Sequence, residues 1–190
     1  QEVVCQTQTA VKLMHQTDIL ETVNAEEETW ITDEVRQSVV DFTTDDGRKL
    51  RLCMIEADMR EGSMTLRPLL PDNKNEWGLQ NIVDQASALE VEGDDVICAI
   101  NGDTFDAFTG KLDGLVLKHR EMLNPMDSRC FFGIREDGRL SLGDTEDFFV
   151  VEGKLTDAVG ASGIVIENSG LVAGLDSDQA LKSRSFAGMD

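Results

Sequence analysis

A chain of 190 residues with 41% hydrophobic content is long enough to bury one large core or two small, closely packed ones. Its formal net charge of -20 works against a nucleic acid backbone or an anionic membrane surface as partner, because such binding relies on Lys and Arg displacing counterions. An anionic small ligand stays open wherever a few arginines converge.

The chain opens on Gln1 rather than Met, which fits a removed signal peptide or another boundary ahead of it; with the first of these, an exported, extracytoplasmic protein is expected. Residues 1–28 have mixed polarity and end in Glu26-Glu27-Glu28, which reads as an N-terminal arm or helix. Residues 29–190 read as the main domain.

Within it, Asp45-Asp46-Gly47 separates Val39-Val40-Asp41-Phe42-Thr43 from Leu50-Arg51-Leu52-Cys53-Met54-Ile55, the pattern of a hairpin. Between Glu76 and Glu90 the apolar residues Leu79, Ile82, Val83, Ala86 and Leu89 recur at spacings of three and four, which predicts a helix with Asn75 as its N-cap. Val96 to Ile100 is predicted as a central strand, ending in an Asn101-Gly102 turn that tolerates positive φ. Leu115-Val116-Leu117 is a further strand. Glu136-Asp137-Gly138 closes a second hairpin, between Cys130-Phe131-Phe132-Gly133-Ile134 and Leu140-Ser141-Leu142. Phe148-Phe149-Val150-Val151 is predicted as a strand, and Asn168-Ser169-Gly170 turns a third hairpin, between Gly163-Ile164-Val165-Ile166 and Leu171-Val172. Of the pairs Phe131-Phe132 and Phe148-Phe149, a strand buries one member each. Helical patterns do not alternate with strands, so the fold class is α+β: β-rich, with a mostly antiparallel or mixed sheet, hairpins and at least one covering helix.

Cys5, Cys53, Cys98 and Cys130 lie far apart without a C-x-x-C pair, and His15 and His119 are the only histidines. Zinc spacing is therefore missing, and neither a metal nor a cofactor is expected. Cys53 and Cys98 sit in apolar runs and read as small buried hydrophobes; a disulfide between any two cysteines is left open. His119, at a strand end with no partner at ligand spacing, reads as structural. A calcium-stabilised domain would rest on carboxylate abundance alone, since no Asp-x-Asp-x-Asp loop is present.

The richest polar segment is Asn101-Gly102-Asp103-Thr104-Phe105-Asp106, directly after the apolar run. By itself it fits either a polar loop built on an Asx-turn or a binding site at a strand end. Read in order with the segments around it, it resembles the phosphodiester glycosidase family, the relatives of the mannose 6-phosphate uncovering enzyme. Ala99-Ile100-Asn101-Gly102-Asp103-Thr104-Phe105 is similar to the family's Ala-Ile-Asn-Gly-Gly-Phe-Phe segment. Thr109-Gly110 and Gly114-Leu115-Val116 resemble the loop and strand that follow it. Arg129 to Gly138 resembles the Arg-x-x-x-Gly-Ile-x-x-Asp-Gly hairpin, and Arg184-Ser185-Phe186-Ala187-Gly188 an Arg-Thr-Ala-x-Gly segment. Upstream, Glu56-Ala57-Asp58-Met59 and Trp77 to Leu89 resemble the opening strand and helix, so the likeness runs from about Leu50 to Asp190. Asp103 and Thr104 stand where family members carry Gly and Phe, which makes the pocket floor more acidic. The family's later Asp-Gly-Arg-like and Asn-Leu-Asp-Gly-Gly-Gly-Ser-like motifs do not occur before Asp190, so an N-terminal part or a shortened member is expected.

The resemblance implies hydrolysis of a sugar from a sugar-1-phosphodiester, with an N-acetylglucosamine conjugate among the substrates. Asp103 and Asp106 are the implied catalytic carboxylates, with Glu56 and Asp58 behind them. Arg184 and Arg129 are the implied phosphate clamps, since guanidinium matches phosphate oxygens bidentately. Asn101, Gly102 and Gly133 would position the sugar, with Phe105 as an apolar wall. The rival expectation is a non-catalytic carbohydrate-binding or cell-surface module on the same scaffold.

Overall fold

The computed structural model describes residues 7–16, 18–60, 64–127, 129–167, 170–172 and 184–189. Two compact units divide the chain, Gln1–Ser63 and Met64–Asp190. The first holds a three-stranded antiparallel sheet and the second a five-stranded one with a separate two-stranded hairpin, each unit with its own core, an α+β, β-rich architecture with hairpins and covering helices.

In the first unit α1 (Gln8–Gln16) is followed by β1 (Leu20–Thr32), β2 (Val35–Thr44) and β3 (Lys49–Ala57), a meander in sequence order. The residues expected to form an arm thus supply α1 and most of β1. Glu26, Glu27 and Glu28 are weak strand formers, but the strand gives two of them partners: Glu26 accepts from the Thr7 hydroxyl at 2.8 Å, and Glu28 lies 3.4 Å from the Arg36 guanidinium. Along β2 the period of two puts Ser38, Val40 and Phe42 inside. Ala10 and Leu20 complete that core, with Leu13, Met14 and Leu52 packed against it. The predicted hairpin forms, with Gly47 at φ 81 as the turn requires and Thr43 paired with Lys49. Cys53 is exposed rather than buried, because alternation sends it to the opposite face from Leu52.

The second unit begins with a 3₁₀ turn at Pro71–Asn73 and α2 (Ile82–Glu92). The helix starts six residues later than Asn75: its N-cap is Asn81, whose side chain accepts from the Asp84 N-H at 2.9 Å, and it ends at Gly93 in the left-handed conformation. Much of its predicted apolar stripe is not core, for Leu79 and Val83 are exposed while Leu89 is buried. The run 96–100 forms no strand. Val96 and Ile97 are half-buried, Cys98, Ala99 and Ile100 are exposed, and the run takes no place in the sheet.

That sheet runs β5-β4-β8-β6-β7, from β4 (Val116–Lys118), β5 (Glu121–Asn124), β6 (Cys130–Arg135), β7 (Leu140–Gly143) and β8 (Leu155–Ala161), each neighbouring pair antiparallel. The β6–β7 hairpin turns at Gly138 with φ 79. Phe148 to Val151 belongs to a helix, α3 (Thr145–Val151), not a strand: Asp144 caps it, accepting from the Glu146 and Asp147 N-H groups, and Asp147 answers as a capping box. The helix still buries one phenylalanine of the pair. Phe148 meets Phe131 edge to face at 5.4 Å, within a core that includes Leu115, Leu117, Leu155 and Ala158, whereas Phe149 is exposed.

β9 (Ile166–Glu167) and β10 (Gly170–Leu171) pair as the third hairpin, whose turn residues 168–169 lie outside the described residues. His119 and Arg120 form the β4–β5 turn at φ 50 and 67, with the His119 N-H donating to Asp157 Oδ1 at 3.0 Å. The buried Lys118 ties the Pro71–Asn73 turn to β4 by donating to the Asn73 carbonyl and side chain, both at 2.8 Å, and burial lowers its pKa.

Candidate functional site

Arg129 stands just before β6, and its planar fork needs paired acceptors. Its Nη1 donates to Asp103 Oδ1 at 2.8 Å and its Nη2 to Asp103 Oδ2 at 2.7 Å, while Nε donates to Asp127 Oδ2 at 2.6 Å. The Asp103 side chain is 1% exposed. Two glycines make this burial possible. A Cβ on Gly114 would lie 2.2 Å from Asp103 Oδ2, and one on Gly160 2.6 Å from the same atom. Burial lowers the guanidinium's pKa, but the Asp127 and Asp103 carboxylates outweigh it and leave Arg129 raised. Burial likewise pushes Asp127 up, and hydrogen bonds from Arg129 more than offset this and hold it below the usual carboxylate range.

Residues 105–112 form a finger that begins just beyond Asp103. A bridge pairs Phe105 with Leu112, and the Asp106 N-H donates to the Lys111 carbonyl at 2.9 Å. The Asp106 side chain closes the tip as an Asx-turn, accepting from the Thr109 N-H at 2.7 Å, the Thr109 hydroxyl at 2.9 Å and the Phe108 N-H at 3.0 Å. Those bonds, Thr109's foremost, lower the Asp106 pKa. Gly110 takes φ 72 and passes so close to the 78 backbone that a Cβ would lie 1.9 Å from the Gly78 carbonyl oxygen. The left-handed glycine of this region is therefore Gly110; Gly102 is not in that conformation.

One side of the finger borders a cleft of about 450 Å³. Asp106, Asp113 and Asp127 give it three carboxylates, and Lys111 is the single cation among the described lining residues. Leu112, Pro125 and Met126 give it apolar surface. Asn124, at the end of β5, is held by donation to the Gly114 carbonyl at 2.8 Å.

No protein-family model matches the chain, and no curated protein does. Its own geometry therefore carries the assignment of roles. Asp103 and Arg129, 26 residues apart, come together as a buried pair, while Asp106 and Asp127 reach the cleft. Phe105 is half-exposed at the base of the finger, and Asn101 and Gly102 lie exposed ahead of Asp103. Gly133 lies inside the sheet, between Ser141 of β7 and Ala158 of β8, where a Cβ would meet Ala158 at 2.8 Å; its backbone belongs to the ladder. Arg184 is exposed and does not line the cleft. Glu56 and Asp58 belong to the other unit, where Glu56 accepts from Arg36 Nε at 3.0 Å and Asp58 from Arg60 Nε at 2.8 Å.

Sequence reasoning missed Lys111, Asp113 and Asp127 as cleft residues. The Asp127-x-Arg129 spacing was the available signal, because an aspartate two residues ahead can accept both the backbone N-H and the side chain of the arginine. Among the described residues no group of three His, Cys, Asp or Glu side chains is placed to hold a metal, so the calcium reading gains no ligand set. Cys53, Cys98 and Cys130 carry no disulfide, and Cys5 lies outside the described residues. No described helix is long and apolar enough to cross a membrane.

Proposed function

We propose that the chain is a hydrolase of the phosphodiester glycosidase type, releasing a sugar from a sugar-1-phosphodiester outside the cytoplasm. The observation that carries this reading is the cleft itself, where the carboxylates of Asp106, Asp113 and Asp127 stand with Lys111 beside the apolar surface of Leu112, Pro125 and Met126. Ionised carboxylates serve as bases or as stabilisers of an oxocarbenium-like transition state, not as proton donors. An alcohol leaving group would need a proton donor; a phosphate ester departs as a stable anion and does not.

In this scheme one carboxylate faces the anomeric carbon as positive charge develops there, and the other takes a proton from the attacking water. The new C-O bond comes from water, and the bond that breaks lies between the anomeric carbon and the phosphate oxygen. Lys111 receives the charge of the departing phosphomonoester. Asp103 and Arg129 are positioning residues that fix the finger against β6, and two of the segments that carry the family resemblance meet in their ion pair.

Proton NMR of the chain with a panel of sugar-1-phosphodiesters, an N-acetylglucosamine one included, tests the reading through the anomeric signals of released sugar. Asp106→Asn and Lys111→Ala are each expected to slow release by more than tenfold, whereas Arg184→Ala, outside the cleft, is expected to leave the rate unchanged. Full activity in Asp106→Asn overturns the carboxylate assignment, and a large loss in Arg184→Ala would overturn its placement outside the site.

A second reading, a carbohydrate-binding module without catalysis, is favoured by the cleft's three aspartates against one lysine and by the commitment of Arg129 to two carboxylates. Ligand line broadening without release would support it.

A further inference from the structure

Phe108, at the tip of the finger, is 94% exposed, the most exposed of the large apolar side chains among the described residues. Leaving such a side chain in water forgoes the free energy that burying it would gain. An exposed aromatic on a loose loop would need no explanation, but this loop is tightly fastened. The Asp106 carboxylate holds the N-H groups of Phe108 and Thr109, the Gly110 N-H returns to the Asp106 carbonyl at 2.8 Å, and the Asp113 N-H reaches the Thr104 carbonyl at 3.0 Å. The entropy of ordering the backbone that carries the aromatic is thus already spent before any ligand arrives. Asp106, two residues before it, and Thr109, next to it, both line the cleft, which sets the Lys111 cation and three carboxylates beside apolar surface.

We infer that Phe108 is a preorganised platform that stacks on the apolar face of a sugar ring whose hydroxyl groups bind in the adjoining cleft. This rests on the carbohydrate reading proposed above and adds the residue that grips the ring. A sugar fits because its hydroxyl rim pairs with Asp106, Asp113 and Lys111 while its C-H face remains for the phenyl ring. An apolar peptide or acyl chain would instead desolvate three aspartates without giving them partners.

The test titrates the intact chain with the methyl phosphodiester of N-acetylglucosamine 1-phosphate, reading affinity by saturation-transfer NMR and the ring directly by fluorine NMR of 4-fluorophenylalanine, its 108 signal assigned by loss in Phe108→Leu. Phe108→Ala is expected to weaken binding by roughly tenfold, the loss of one aromatic contact, with Phe108→Trp restoring it and the melting temperature unmoved in both. The 108 fluorine signal shifts on titration. If the wild-type chain binds while Phe108→Ala binds equally well, or the fluorine signal stays still, the platform is overturned and the carbohydrate reading stands. If the wild-type chain neither binds nor cleaves the probe, both are overturned.

Discussion

A guanidinium enclosed by two carboxylates is chemically a different group from one that faces water. Arg129 gives Nε to Asp127 and both terminal nitrogens to a carboxylate that is almost wholly buried, so its charge is spent inside the protein. Arg129→Ala would leave Asp103 buried without its partner and is expected to cost about 3–5 kcal/mol, read by urea denaturation. The double variant Arg129→Ala/Asp103→Ala should cost less than the sum of the singles; strict additivity would show that the pair does not couple. Exposed carboxylates behave differently. Asp46 is pushed down to about 2 from 3.8, first by the hydrogen bond from Arg48 and then by that from Thr44. A folded value below the unfolded one means stability that is complete above the unfolded pKa and is lost as pH falls through the folded one. The acid limb of the stability profile between about pH 4 and pH 2 should therefore flatten in Asp46→Asn, with its carboxyl carbon titrating near the lower value in wild type; an unchanged limb would refute the assignment.

At the scale of elements, hairpins were readable and partnerless runs were not. The Asp45-Asp46-Gly47 and Glu136-Asp137-Gly138 turns need a left-handed glycine, which three or four residues announce, and both formed where expected. Phe148 to Val151 reads as strand on composition alone, yet Asp144 and Asp147 already spell a capping box ahead of it. The capping signal outweighed four β-formers because it satisfies backbone N-H groups that the helix start would otherwise leave bare. For α2 the predicted helix reaches back to a cap at Asn75, but the Gly78 backbone lies against Gly110 of the finger and does not continue the helix. Asn81→Ala is accordingly expected to cost about 1 kcal/mol in thermal or chemical denaturation, and Asn75→Ala clearly less. Equal losses would place the cap elsewhere. Val96 to Ile100 has the composition of a central strand, yet it pairs with no strand of the sheet, and pairing is a property that no local pattern records.

For the whole molecule, the two units each enclose a core of their own, Ala10, Leu20, Val40 and Phe42 in one and Leu115, Phe131, Phe148 and Leu155 in the other. The excess of 37 acidic over 17 basic residues spreads repulsion over both. Raising NaCl from about 0.01 M to about 0.15 M shortens the Debye length from about 30 Å to about 8 Å and is expected to raise the melting temperature by about 2–4 °C, the equivalent of roughly 1 kcal/mol in a chain this long. A melting temperature that falls with salt would mean that attractive surface pairs such as Arg51 with Asp41 dominate over net repulsion.

The sequence by itself determined the β-rich α+β class, the positions of the tight hairpins and the acidity that disfavours nucleic acid, because each depends on residues within a few positions of one another or on composition alone. It also marked the segment from Asn101 to Asp106 as the place to look. Tertiary structure alone decided which of those residues meet the cleft. Asp103 and Arg129 pair across 26 positions only because Gly114 and Gly160 leave space for a carboxylate, and Asp127 and Lys111 join Asp106 only because the finger and the start of β6 converge. Such convergence is fixed by packing and loop closure, which act at distances where the spacing of residue types along the chain carries no information.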